Sequence, residues 1–208
     1  MPNDYPNDTA TQPNRPGLET PERIRVWDPL VRVFHWSLVG AFATAFILED
    51  DLLGVHVWAG YLVLALVAVR LVWGLIGTRH ARFSDFVRGP RAVLAYLRAV
   101  LSRRAPRYLG HNPAGGAMIL LLLIALAATG ISGLALYGAE EFAGPLAGVM
   151  RGVPAFWGEV LEETHEVLAN LTLGLILIHV AGVLVSSWLH RENLIAAMIS
   201  GYKRQGLE

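Results

Sequence analysis

The sequence predicts an all-α integral membrane protein: a four-transmembrane-helix up-down bundle with amphipathic helices on its cytoplasmic surface. Three observations predict it. The 208-residue chain is 54% hydrophobic and 16% charged, with a mean hydropathy of +0.44, a balance foreign to a soluble domain. Its apolar residues gather in four long stretches, each close to or above the ~20 residues a helix needs to cross a bilayer. The segments between those stretches alternate in the sign of their charge.

Residues 1–22 are rich in Pro, Asn, Asp and Thr and contain no apolar core of a signal peptide, so they read as a disordered cytoplasmic tail. Residues 23–204 form the membrane domain. The first span is 31–48 and the second 55–76. The third, 114–136, holds no charged residue, and the fourth, 160–188, begins with polar turns that protrude into the interface. Between spans two and three stand Arg79, Arg82, Arg88, Arg91, Arg98, Arg103, Arg104 and Arg107 against Asp85 alone, and Arg191, Lys203 and Arg204 follow span four. Glu49, Asp50 and Asp51 join spans one and two, and Glu140, Glu141, Glu159, Glu162 and Glu163 stand between spans three and four against Arg151. The positive-inside rule then puts both termini and the arginine-rich loop in the cytoplasm. From Pro90, the positions Val93, Leu94, Leu97, Val100 and Leu101 make one apolar helix face opposed by arginines, suited to an anionic lipid surface. A second short amphipathic helix is expected over 193–202.

The chain has no cysteine. That excludes disulfides, Cys-ligated iron–sulfur clusters, Cys-rich zinc sites and covalently attached c-type haem. Histidine must supply any transition-metal chemistry. His165 and His179 lie fourteen residues apart in the fourth span. At ~100° and 1.5 Å per residue they share a helix face and stand roughly 21 Å apart along it. The alternating direction of the spans places His35 at the cytoplasmic depth of His179, and His56 at the periplasmic depth of His165. Two opposed imidazoles at each of two depths suit two bis-histidine b-type haems, whereas zinc would gather three or four ligands at one point. The bundle is therefore expected to enclose two haem b groups on His35, His56, His165 and His179.

Gly60 and Gly74 in span two, and Gly116 and Gly130 in span three, repeat the fourteen-residue interval. They would let a flat macrocycle approach the backbone, or simply let helices pack closely. Arg70 is a full charge well inside span two, with a haem propionate or snorkelling to the headgroups as its two explanations. Arg32, one turn before His35, is a weaker candidate for the same duty. His80, His111 and His190 fall in or beside cytoplasmic loops and are read as solvent-facing or interfacial groups, with His111 also placed to line a quinone or propionate pocket. Trp36, Trp58, Trp73, Trp157 and Trp188 lie near span ends, as belt anchors do.

The segments RVWDPLVRVFHW, HVWAGYLVLALVAVRLVWGLIG and HEVLANLTLGLILIHVAGV resemble the bacterial cytochrome b561 family, whose superfamily includes the b-type cytochrome subunits of nickel–iron hydrogenases. The resemblance covers residues 23–204. It implies a four-helix dihaem cytochrome with the four histidines above as ligands, and ubiquinone or its quinol as the membrane-side redox partner. The short tail after span four suits the free-standing type. The GTRHARFSDFVRGP segment and the long loop before span four suit the type that docks other subunits.

Three functions compete. The first is electron transfer across the inner membrane between the quinone pool and a redox partner, either a c-type cytochrome with a basic docking face or a hydrogenase-like subunit. The second is a haem-containing anchor for a periplasmic oxidoreductase. The third, a metal or proton transporter, lacks the intramembrane carboxylates and interrupted helices such a protein uses. Besides lipid and quinone, a second copy of the chain is a possible partner, and nucleic acid is not expected.

Overall fold

The computed structural model describes residues 23–48 and 52–205. The tail 1–22 and the acidic residues Glu49, Asp50 and Asp51 lie outside that range. Among the described residues four helices are long and apolar enough to cross a membrane: α1 (Pro29–Ile47), α2 (Leu53–Ile76), α5 (Pro113–Glu140) and α7 (Phe156–Leu189). Between α2 and α5 come a 3-10 turn (Arg79–Ala81), α3 (Phe83–Phe86) and the amphipathic α4 (Pro90–Leu101). Short α6 (Ala147–Met150) precedes α7, and α8 (Leu194–Ser200) follows it. Each helix starts one to four residues before the expected span, α1 ends one residue short of it and α2 with it, and α5 and α7 run past it; the 34 residues of α7 make a rod of ~50 Å that overshoots a ~30 Å hydrocarbon core.

Local chemistry sets the helix starts. The Asp28 carboxylate caps α1 by accepting from Val31 N at 2.9 Å, with Pro29 at the first helical position. Asn112 does the same for α5 through Gly115 N at 2.7 Å, ahead of Pro113. Asn193 caps α8 through Ala196 N at 2.8 Å, and α8 ends on Gly201 at φ 89°, a left-handed conformation glycine adopts without strain.

Packing joins α1 to α2, α2 to α5 and α5 to α7. The buried apolar cluster draws Phe34 and Ala41 from α1, Val63 and Val67 from α2, and Leu123 and Leu126 from α5. From α7, Thr172 is the sole fully buried side chain among the described residues. Large apolar groups such as Trp58, Leu75, Ile76 and Leu184 point outward, as in a bundle solvated by lipid.

Strand pairing was not anticipated from the sequence. β1 (Arg23–Arg25) pairs antiparallel with β2 (Tyr202–Arg204), Ile24 opposite Lys203. Val26, Trp27 and Ala197 are buried beneath this clasp. Lys203 is buried too, and its ammonium lies 3.3 Å from Glu192, which also accepts from Arg107 at 2.7 Å.

Candidate functional site

The four intramembrane histidines meet in pairs at two ends of the bundle. His35 of α1 faces His179 of α7 with ring centroids 6.5 Å apart. His56 of α2 faces His165 of α7 with centroids 5.9 Å apart. Two metal–imidazole bonds of ~2.0 Å, with the ring radii added, put opposed centroids roughly 6 Å apart. Both pairs therefore fit an iron-centred macrocycle held from two sides. No group of three or more potential ligands gathers among the described residues, which disfavours zinc.

The ring nitrogens supply a second test. His56 Nδ1 lies 2.9 Å from the carbonyl of Ala45. His165 Nδ1 lies 3.0 Å from the carbonyl of Thr129 and 3.0 Å from the Ser132 hydroxyl, which itself donates to Thr129 O at 2.8 Å. A carbonyl only accepts, so both Nδ1 atoms carry the proton and both Nε2 lone pairs are free for a metal. At the other end, His35 Nδ1 is buried with no hydrogen-bond partner among the described residues. A buried, unpaired imidazole nitrogen is costly, and with no carbonyl beside it the tautomer of His35 is not fixed as those of His56 and His165 are.

Arg70 does not snorkel. It is 3% exposed, with its guanidinium 5.0 Å from the centre of the Phe83 ring and 5.9 Å from that of Phe86, and its Nη1 finds no partner among the described residues. Cation–π contact softens the burial of that charge without neutralising it. Arg32 donates through Nη1 to Ser200 O at 3.1 Å, while its Nε is buried with no partner among the described residues.

The glycines divide. A methyl on Gly60 would meet nothing within 4 Å, which leaves room for a ligand. A methyl on Gly74 would strike the Phe83 ring, one on Gly116 the Phe86 carbonyl at 2.6 Å, and one on Gly130 the Leu64 side chain at 2.6 Å. Those three make room for protein. Gly133 was not singled out from the sequence, yet a methyl there would lie 2.8 Å from His165 Cε1. It sits one residue past Ser132, and its signal was its place in an apolar helix beside two hydroxyl residues.

Of the loop histidines, His80 and His190 are half-buried and His111 departs from the solvent-facing or interfacial reading. His111 packs between Trp27 and Phe86, at centroid distances of 4.5 and 4.7 Å. Burial first, then the positive charges of Arg70 and Lys203, push its pKa down to about 3. His80 contacts Asp85 at 3.0 Å, and His190 has a buried Nε2 with no partner among the described residues. His80, Asp85, Arg88, Arg107 and His111 line a cleft of about 270 Å³. At the head of α1, burial works against ionisation of Asp28. Bonds from Thr78 Oγ1 at 2.6 Å, Val31 N and Trp73 Nε1 at 3.1 Å outweigh it and hold the carboxyl below its ordinary range. Trp73 is thus a fastener between α2 and α1 as well as a candidate belt residue.

Four apolar spans and facing intramembrane imidazoles define a membrane b-type cytochrome. The profile of the prokaryotic cytochrome b561 family matches residues 26–201, and the chain belongs to that family. Among curated proteins it is 26% identical over 215 residues to a probable Ni/Fe-hydrogenase B-type cytochrome subunit of Rhizobium leguminosarum bv. viciae, covering 86% of this chain and 88% of that one. It is 27% identical over 214 residues to a protein of the same description from Cupriavidus necator, covering 86% of each. No solved structure matches the chain.

Proposed function

We propose that this protein is a dihaem electron-transfer subunit that links a periplasmic hydrogenase-type partner to the quinone pool. The observation that carries this reading is the pair of facing imidazole couples at two levels along α7. His35 and His179 hold one haem b, and His56 and His165 hold the other through Nε2, their Nδ1–H groups being donated to carbonyls. Bound haem iron supplies one-electron chemistry at a potential set by its ligands and surroundings. The protein's part is to fix the rings, exclude water and place charge. Arg70 and Arg32 lie at the His35/His179 end and receive propionates, and Gly60 leaves space beside His56.

The arginine-rich end faces the cytoplasm, as the positive-inside rule requires. Glu140, Glu141, Glu159, Glu162 and Glu163 then face the periplasm and the partner. The descriptions of the relatives support a hydrogenase-type partner, and family membership supports quinone. A pyridine haemochrome assay on purified protein tests the core of the reading. Two non-covalent haems per chain are expected, with His165→Ala and His179→Ala each losing a different one. One haem per wild-type chain overturns it.

A further inference from the structure

A concavity apart from the histidine pairs gathers positive charge. Between the turn that follows α2 and the start of α5 lies the cleft of about 270 Å³ lined by Arg79, His80, Asp85, Arg88, Arg107 and His111. Three guanidiniums stand there against one carboxylate, which leaves a surplus of two positive charges with the imidazoles neutral. Like charges drawn into one concave wall raise its potential for anions.

The carboxylate is already engaged. Asp85 Oδ2 lies 3.0 Å from His80 Nδ1, and Asp85 Oδ1 lies 3.7 Å from Arg79 Nε. A methyl on Gly110 would come within 3.0 Å of His80 Nδ1 and 3.6 Å of Asp85 Oδ2, so glycine lets the loop before α5 close over this pair. The guanidiniums keep donors in reserve, because each carries five N–H groups in a planar fork. Arg88 sets Nη2 on Asp85 O at 2.7 Å and Nη1 on Val87 O at 3.4 Å. Arg107 gives Nη2 to Glu192 and to the carbonyl of Arg204. Arg79 has only its long contact to Asp85 among the described residues, and its side chain is 81% exposed.

The wall carries two more groups suited to an anion. Pro113 opens the 28-residue α5 there, and a helix N-terminus presents positive partial charge and amides without intrahelical partners. His111 lines the cleft with an Nδ1 that is buried and has no hydrogen-bond partner among the described residues. A buried polar atom left so costs stability until a partner fills it.

We infer that this cleft binds an anionic phosphate group. Planar guanidinium forks match the oxygens of a phosphate. A phosphate monoester, at a charge of about −1.5 to −2 near neutral pH, balances the surplus, whereas a neutral quinone leaves it in place. Two sources offer the same chemistry: the headgroup of an anionic phospholipid and a free phosphate from the aqueous phase.

Purified haem-loaded protein in a neutral detergent provides the test. Native mass spectrometry follows retention of phosphatidylglycerol against net-neutral phosphatidylcholine, and equilibrium dialysis follows inorganic phosphate. Arg79→Gln with Arg88→Gln removes charge from two exposed residues of the cleft. Arg82→Gln with Arg91→Gln removes as much from exposed residues outside it. Haem content and melting temperature equal to those of the wild type report that both variants fold. The cleft variant is expected to bind roughly tenfold more weakly or worse, and the control variant to bind as the wild type does. Selective loss of phosphatidylglycerol assigns the site to a lipid headgroup, and loss of inorganic phosphate alone assigns it to a soluble anion. A wild-type protein that holds neither probe, a cleft variant that binds as well as the wild type, or two variants equally impaired overturns the inference.

Discussion

Glu192→Gln is expected to loosen the clasp that ties the two ends of the membrane domain together. Glu192 lies 3.3 Å from the Lys203 ammonium and 2.7 Å from an Arg107 nitrogen, and the Lys203 and Glu192 side chains are only 4% and 10% exposed. At an effective dielectric of 20, opposite charges 3.3 Å apart attract by about 5 kcal/mol, most of it offset by the cost of burying them. The amide removes the anion and leaves the cation buried. Lys203 can escape by losing its proton, which from an ordinary value of ~10.4 costs about 5 kcal/mol at pH 7 and so caps the penalty. It also keeps its bond to the Tyr108 carbonyl at 3.3 Å. A loss of ~3 kcal/mol follows, within the range for breaking a buried pair, or roughly a hundredfold in the opening constant. Hydrogen exchange read by mass spectrometry should show that drop in protection over residues 23–27 and 201–205, with the spans unchanged. Glu192→Gln combined with Lys203→Met should recover much of it. Unchanged protection in the single variant would refute the reasoning. Burial pushes the Glu192 pKa up, but Arg107 and Lys203 outweigh it and hold it below the ordinary value. The ion pairs therefore stabilise the clasp fully above ~4.3 and are lost only as the pH falls through the lower, folded value.

Other outcomes are equally open to measurement. Arg70→Leu should lower the midpoint of the His35/His179 haem by roughly 50–100 mV and leave the other nearly still, as a redox titration would show. His111, held to about 3 by burial, stays neutral when folded, whereas the unfolded chain takes up a proton near ~6.5. Stability should therefore fall as the pH drops from about 6.5 toward 3, and His111→Phe should flatten that part of a melting-temperature profile. Thr172→Val should cost under ~1 kcal/mol in unfolding measurements, because each hydroxyl of the 3.0 Å Thr129–Thr172 contact has a single proton already drawn to its own helix carbonyl. Reversing charge at Glu140 and Glu141 should slow electron exchange with a basic redox protein at low salt and leave it little changed at high salt, as stopped-flow would record.

The spans were legible because bilayer thickness imposes a long apolar run that no other fold requires. The depths of the histidines were legible for a related reason: helix rise and alternating direction convert residue number into height, which places His35 beside His179 and His56 beside His165. The rest depended on neighbours that sequence spacing does not encode. Gly74, Gly116 and Gly130 share an interval with one another, but Phe83, Phe86 and Leu64 decide what each makes room for. His111 looked exposed because it sits in a polar loop, and only the fold brings Trp27 and Phe86 to its two faces. The strands Arg23–Arg25 and Tyr202–Arg204 are three residues each, too short for any periodic signal.

That pairing constrains the order in which the protein is made. Its two strands are separated by 176 intervening residues, so β1 emerges from the ribosome long before its partner exists. At ~5–20 residues per second the delay is on the order of ten seconds or more. All four spans must be in place before residue 202 can reach residue 25 on the same side of the bundle. The clasp thus closes as a final step, and a chain truncated even a few residues before Tyr202 would leave Arg23–Arg25 as an unmatched edge, a distinguishing mark by which an unfinished product differs from a complete one.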